Sequence, residues 1–184
     1  MIVNANPKMK LNRLVKSGKL FCIRRGLYNS EQHTASYLLA ECVCSPSYLS
    51  FDFALSFYGI IPERVFTCTS ATFRRGKRKL YQSPFGTFCY RDVPSAVFPY
   101  EVKILNEEGY YFKIASIEKA LCDKVYSVKP VRNLKGMSEL LLDDMRIDPN
   151  DMMRLNTNII CELAPLYHSQ NLSFLVKFIR RNLS

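Results

Sequence analysis

Apolar residues recur every three to four positions at both ends of the chain and every second position through its middle, so helices are expected to flank a sheet. Asn6 before Pro7 marks a helix start, and Leu11, Leu14 and Val15 keep helical spacing until Gly18, which predicts a helix over 7–17. KLFCI then reads as a strand, Arg25-Gly26 as a tight turn and Leu27-Tyr28 as the return strand, with Arg24 and Arg25 at the hairpin tip. Ser30 is placed to cap a helix over 31–43 that Pro46 stops. Ser50 is placed to cap FDFALSFYG, in which Phe51, Ala54, Leu55 and Tyr58 share one helical face.

Between Ile60 and Ala115 the segments VFTCT, KRKLYQ, FGTFCYR, YEVKIL and YYFKIA, separated by R-R-G-K, S-P-F-G and N-E-E-G, predict a mostly antiparallel sheet. Ser116 opens SIEKALCDKVYSV, with Ile117, Ala120, Leu121 and Val125 as its buried stripe. Further helices are expected at 137–146, 149–155 (Asp148 cap, Pro149 first), 157–167 and 171–182. The wide apolar arc of the last (Leu172, Phe174, Leu175, Val176, Phe178, Ile179) assigns it either to the core, the favoured reading, or to a partner interface. No internal repeat, low-complexity stretch or Gly/Ser-rich linker occurs. The fold class is thus α+β: a helix and hairpin at 1–28, then a domain over 29–184 built on a mostly antiparallel sheet packed with helices and ending in helices. The seam falls near 29–47.

Composition narrows the class. With 184 residues, 48% hydrophobic and 23% charged, the chain is globular. No apolar run approaches the roughly 18 residues of a membrane span, and MIVNANPKMK lacks the apolar core of a secretory signal, so a cytoplasmic location without membrane attachment is expected. Seven cysteines without a C-x-x-C pair read as reduced thiols.

Charge changes the picture more. The net charge is +10, and residues 1–28 hold Lys8, Lys10, Arg13, Lys16, Lys19, Arg24 and Arg25 with no acid. A second basic cluster is Arg74, Arg75, Lys77, Arg78 and Lys79, and Lys177, Arg180 and Arg181 lie on the last helix. Such local excess attracts polyanions, although a solvated basic face has the same composition. Turned by about 100° per residue, the first helix puts Met9, Arg13 and Lys16 opposite its apolar stripe, flanked by Asn12 and Ser17. A helix followed by a basic-tipped hairpin is the second half of a winged helix-turn-helix. On that reading Asn12, Arg13 and Lys16 read bases, while Lys8, Lys10, Lys19, Arg24 and Arg25 contact phosphates.

LNRLVKSGKLFCIRRGLY (11–28), YLSFDFALSFYGIIPERVFTCTSAT (48–72), FGTFCYRDVP (85–94) and IASIEKALCDKVY (114–126), in this order and spacing, resemble the AbiEi family of antitoxins from bacterial abortive-infection toxin-antitoxin pairs, as does the closing NLSFLVKFIRR. The resemblance implies a winged helix that binds operator DNA and represses its own operon. It also implies an α+β domain that neutralises a nucleotidyltransferase-like toxin without a stable complex. Family members carry two helices before the R-L-V-K-S-G-K-L segment, where this sequence has only a short lead. Residues 1–28 are therefore expected to form a partial winged helix, packed on the following domain or on another copy. A homodimer fits the repeated operators such helices use.

Other chemistry is sparser. Lys124 falls within the apolar stripe of its helix, beside Glu118 and Asp123; either it snorkels or meets a carboxylate from the sheet, or it joins Arg74, Arg75, Lys77, Arg78 and Arg91 in an anion or partner surface for a nucleotide, RNA or toxin. Asp92 with Glu101-Val102-Lys103 has the D…E-x-K pattern of Mg²⁺-dependent nucleases, which is the enzymatic alternative, beside an interaction module without DNA binding. His33 and His168 lack metal-spaced partners and read as surface or capping residues, Cys42-x-Cys44 reads as packing in or near the core, and no phosphate loop occurs. The expectation is a non-enzymatic protein with no metal and no cofactor.

Overall fold

The computed structural model describes residues 6–107 and 109–182. The chain begins with α1 (Pro7–Lys16), then a two-stranded hairpin of β1 (Phe21–Arg24) and β2 (Leu27–Asn29). Helix α2 (Ser36–Val43), strand β3 (Tyr48–Leu49) and helix α3 (Phe51–Phe57) lead into β4 (Cys68–Thr72), β5 (Lys79–Ser83), β6 (Gly86–Asp92), β7 (Val102–Glu107) and β8 (Tyr110–Ala115). Five helices close the order: α4 (Ile117–Ser127), α5 (Leu134–Ser138), α6 (Pro149–Met152), α7 (Thr157–Leu163) and α8 (Gln170–Asn182). A turn of π-helix follows α5 over Glu139–Asp144, and a 3-10 turn follows α7 over Ala164–Tyr167.

The α+β class holds, and the sheet is mixed rather than mostly antiparallel. Its order is β5-β6-β4-β3-β8-β7, with β4–β6 and β3–β8 parallel and the other three pairs antiparallel. The sequence missed this because β3 is only two residues long, too short to show a period of two, yet it sits between β4 and β8. Helix α2 lies against one face: the Tyr90 hydroxyl donates to the Ala40 carbonyl at 2.6 Å, and Cys68 Sγ meets Ser36 Oγ at 3.1 Å. Helix α4 covers the other, reached by Tyr48 from β3 and by Arg91 from β6. Ala120, Leu121 and Val125 are buried as read, whereas Ile117 is half-buried. Leu172, Leu175, Phe178 and Ile179 put α8 in the core, with Phe174 and Val176 partly buried against it.

Several boundaries move. The helix expected over 31–43 starts at Ser36, so Ser30 is not its cap, and the helix expected over 137–146 starts at Leu134 and passes into the π turn. The helices expected over 149–155 and 157–167 end at Met152 and Leu163. Ser50 does stand before α3, but its hydroxyl donates to Asp123 instead of capping. The cap comes from the sheet: Thr69 Oγ1 accepts from Phe53 N at 3.0 Å and donates to the Ser50 carbonyl at 2.7 Å.

All seven cysteines are free, four of them buried; Cys44 packs in the core, and Cys42 is exposed rather than packed. No helix of the described residues is long and apolar enough to cross a membrane.

Candidate nucleic-acid interface

Helix α1 is defined at both ends by its own residues. Asn6 Oδ1 accepts from Lys8 N at 3.1 Å, Pro7 stands at the first helical position, and Gly18 at φ +68° lets Lys19 N reach the Leu14 carbonyl at 3.0 Å while Gly18 N reaches Val15 O at 3.1 Å. The helix buries none of its residues. Leu11, Leu14 and Val15 are half-covered, and Met9, Asn12, Arg13 and Lys16 are exposed on the opposite side. The hairpin is what fastens this end to the body. Ile23 is buried in the common core, Leu27 packs on it, and the Phe21 ring meets Phe85 edge-on at 6.3 Å between centroids.

Lys8, Lys10, Arg13, Lys16, Lys19, Arg24 and Arg25 are all exposed, and among the described residues none of them forms an ion pair. The cations read from the sequence therefore share one helix–hairpin unit and stay uncompensated. Helix, turn and hairpin are present as expected; the first five residues of the 1–28 segment, and residues 183–184 of the following one, lie outside the described residues.

The mid-chain surface divides. Arg74, Arg75 and Lys77 belong to the β4–β5 loop, which Asp92 organises: its Oδ2 accepts from Arg75 N at 2.7 Å and Gly76 N at 2.8 Å, and its Oδ1 accepts from Thr72 Oγ1 at 2.7 Å. The Arg75 guanidinium donates to the Ser45 carbonyl. Arg78, Arg91 and Lys124 instead line one cleft. Lys124 is paired with Asp52 of α3 at 2.5 Å, so its carboxylate comes from a helix rather than from the sheet. The D…E-x-K set is not assembled as expected. Asp92 is committed to the loop, Glu101 lies in a turn at φ +55° before β7 rather than on the strand, and no group of three or more metal-ligating side chains forms among the described residues.

The most strongly buried charges were invisible in the sequence reading. Lys119 and Asp123, one helical turn apart on α4, are both fully buried and meet at 3.0 Å. Asp123 Oδ1 also accepts from the Tyr167 hydroxyl at 2.6 Å, while Oδ2 accepts from Ser50 Oγ at 2.7 Å and Tyr48 OH at 3.1 Å. Lys119 Nζ donates to Tyr167 as well, 2.8 Å away. Burial, reinforced by the Asp123 charge, pushes both tyrosine hydroxyls well above their usual ionisation range. Glu118, placed on the flank of the stripe by its spacing, is likewise buried and accepts from Asn156 N at 2.9 Å. A Lys-x-x-x-Asp pair is ordinarily a solvated helix pair. The apolar residues between the two, Ala120 to Cys122, were the available signal that this turn faces inward. With every oxygen of Asp123 satisfied and the cluster closed to solvent, its chemistry is that of a polar staple joining β3, α3, α4 and the 3-10 turn.

No protein-family model matches the chain, and no curated protein matches it at a significant level.

Proposed function

We propose that the chain is a DNA-binding autoregulator of the antitoxin type, which grips duplex operator DNA with α1 and the β1–β2 hairpin and counteracts a nucleotidyltransferase-like toxin. The observation that carries the DNA reading is that, among the described residues, no carboxylate lies within 4.0 Å of any of seven exposed cations, on a helix that buries nothing and a hairpin fastened to the core. A folded domain gains no stability from such an arrangement; a phosphate backbone does. A ten-residue helix is about 15 Å long, which suits a major groove about 12 Å wide. Asn12, Arg13 and Lys16 project away from the body toward base edges, and Lys8, Lys10, Lys19, Arg24 and Arg25 flank them for phosphates. The antitoxin half rests on the four segments quoted above and falls to the body beyond the hairpin.

The test is binding of the full chain to the promoter fragment of its own operon, followed by fluorescence anisotropy across a salt series. Five phosphate contacts give a log-log slope of about −4.5, and Arg13→Ala with Arg24→Ala, which removes one phosphate contact and one base contact, lowers its magnitude by about 1 and weakens binding without moving the unfolding midpoint. A flat salt dependence, or unchanged affinity in that variant, removes the DNA reading. Failure of the full chain to rescue cells expressing the adjacent toxin removes the antitoxin reading.

A further inference from the structure

Two arginines are placed side by side with nothing to neutralise them. Strands β5 and β6 pair up to Lys79 opposite Tyr90; Arg78 immediately precedes β5, Arg91 follows Tyr90 on β6, and both line one cleft. Arg78 Nε donates to Cys89 Sγ at 3.1 Å, and Cys89 stands two positions from Arg91 on β6, so all three side chains share one sheet face. Like charges lining one cleft repel. Neither guanidinium has a carboxylate within 4.0 Å among the described residues. Arg91 is nevertheless held firmly: Nη1 donates to Ser127 Oγ at 3.3 Å, the guanidinium lies 5.9 Å from the Phe51 ring, and its buried Nε meets no acceptor among the described residues. Phe51 itself holds φ +56°, a conformation a bulky residue adopts only when its surroundings enforce it.

Both arginines line a cleft of about 470 Å³ between the sheet and the helical layer. The other charges there largely cancel. Lys124 is matched by Asp52, and Glu63 by Arg146 from outside the cleft. What is left over is two guanidinium forks and Asp144, which stands at the end of the π turn with no cation within 4.0 Å among the described residues. Planar forks suit tetrahedral oxyanions, which accept several N–H donors at once, and Asp144 is placed to accept from a hydroxyl or amine on the same molecule. The volume is that of a small-ligand site.

We propose that this cleft binds a small phosphate, either the free anion or a monoester of nucleotide size, with Arg78 and Arg91 holding the phosphoryl oxygens. The site is separate from α1 and the hairpin, so it stands or falls independently of the DNA reading.

Isothermal titration of the full chain with inorganic phosphate, adenosine monophosphate and adenosine tests it. Saturable binding of either phosphate compound but not of adenosine is expected, and Arg78→Gln, at an exposed position, weakens it by about tenfold or more at an unchanged unfolding midpoint. Tighter binding of the monophosphate than of phosphate assigns the ester as ligand; equal binding assigns the free anion, and both support the site. Arg13→Ala with Arg24→Ala leaves the titration unchanged. No saturable binding of either phosphate compound, binding that Arg78→Gln leaves intact, or binding lost in the α1–hairpin variant overturns the proposal.

Discussion

Lys119→Met is the sharpest probe of the folded core. The substitution keeps the length of the side chain and removes the one positive charge that faces Asp123, so a carboxylate with no exposure is left with three hydroxyl donors and no counter-charge. Breaking a buried ion pair from one side costs about 3–5 kcal/mol. Against a total stability of about 5–15 kcal/mol this is a large share. For a chain of this size each kcal/mol moves the midpoint by about 2–4 °C, so a fall of about 10 °C is expected. Asp123→Leu alone strands the ammonium and three hydroxyls and should cost at least as much. The double variant removes both charges at once, so its loss falls short of the sum of the singles by about 2 kcal/mol or more. Urea unfolding followed by far-UV circular dichroism measures all three, provided the slope against denaturant is unchanged. A cost below about 1 kcal/mol for Lys119→Met, the range of solvated pairs, or strict additivity in the double variant, would refute the account of a desolvated charge network.

Tyr48, Tyr90 and Tyr167 are held above the usual tyrosine range, chiefly by burial, so the native state retains protons that the unfolded chain releases near pH 10; stability is full below that pH and falls as pH rises beyond it. Tyrosinate absorbance should therefore lag for these three until the chain unfolds, and ordinary ionisation of all eleven tyrosines in folded protein would count against it. Thr69→Val removes the α3 cap supplied from β4 and should lower stability by about 1–2 kcal/mol in the same urea assay, whereas no change would mean that Phe53 N finds another acceptor. Ile23→Ala should cost about 2–4 kcal/mol and loosen the hairpin, read as faster amide exchange in β1 and β2 than in β4 and β6. Native protein should expose Cys42 to a thiol reagent ahead of Cys44, Cys68, Cys89 and Cys122, with seven thiols titrating in denaturant; fewer than seven would reveal a disulfide.

By itself the sequence determined what is local. The spacing of Leu11, Leu14 and Val15 between Asn6-Pro7 and Gly18 specifies α1 and which of its faces carries Arg13 and Lys16, because both caps and stripe lie within a few residues of one another. The same holds for the hairpin around Gly26, for α4 behind Ser116 and for the apolar arc of α8. The exposed cations of α1 were legible for that reason, since charge and helical phase are both written along the chain.

Only the tertiary structure decided which distant segments meet. β3 owes its place to two long-range pairings, with β4 and β8, which no pattern of two residues encodes. Lys119 and Asp123 have the spacing of a solvated helix pair and become a desolvated one because Tyr48, Ser50 and Tyr167 arrive from three other elements. The partner of Lys124 and the sharing of one cleft by Arg78 and Arg91 follow from how α3 packs and from how β5 lies beside β6. Periodicity tells a residue which way to point; the cost of burying its charge depends on neighbours tens of residues away, and those are chosen only when the chain closes on itself.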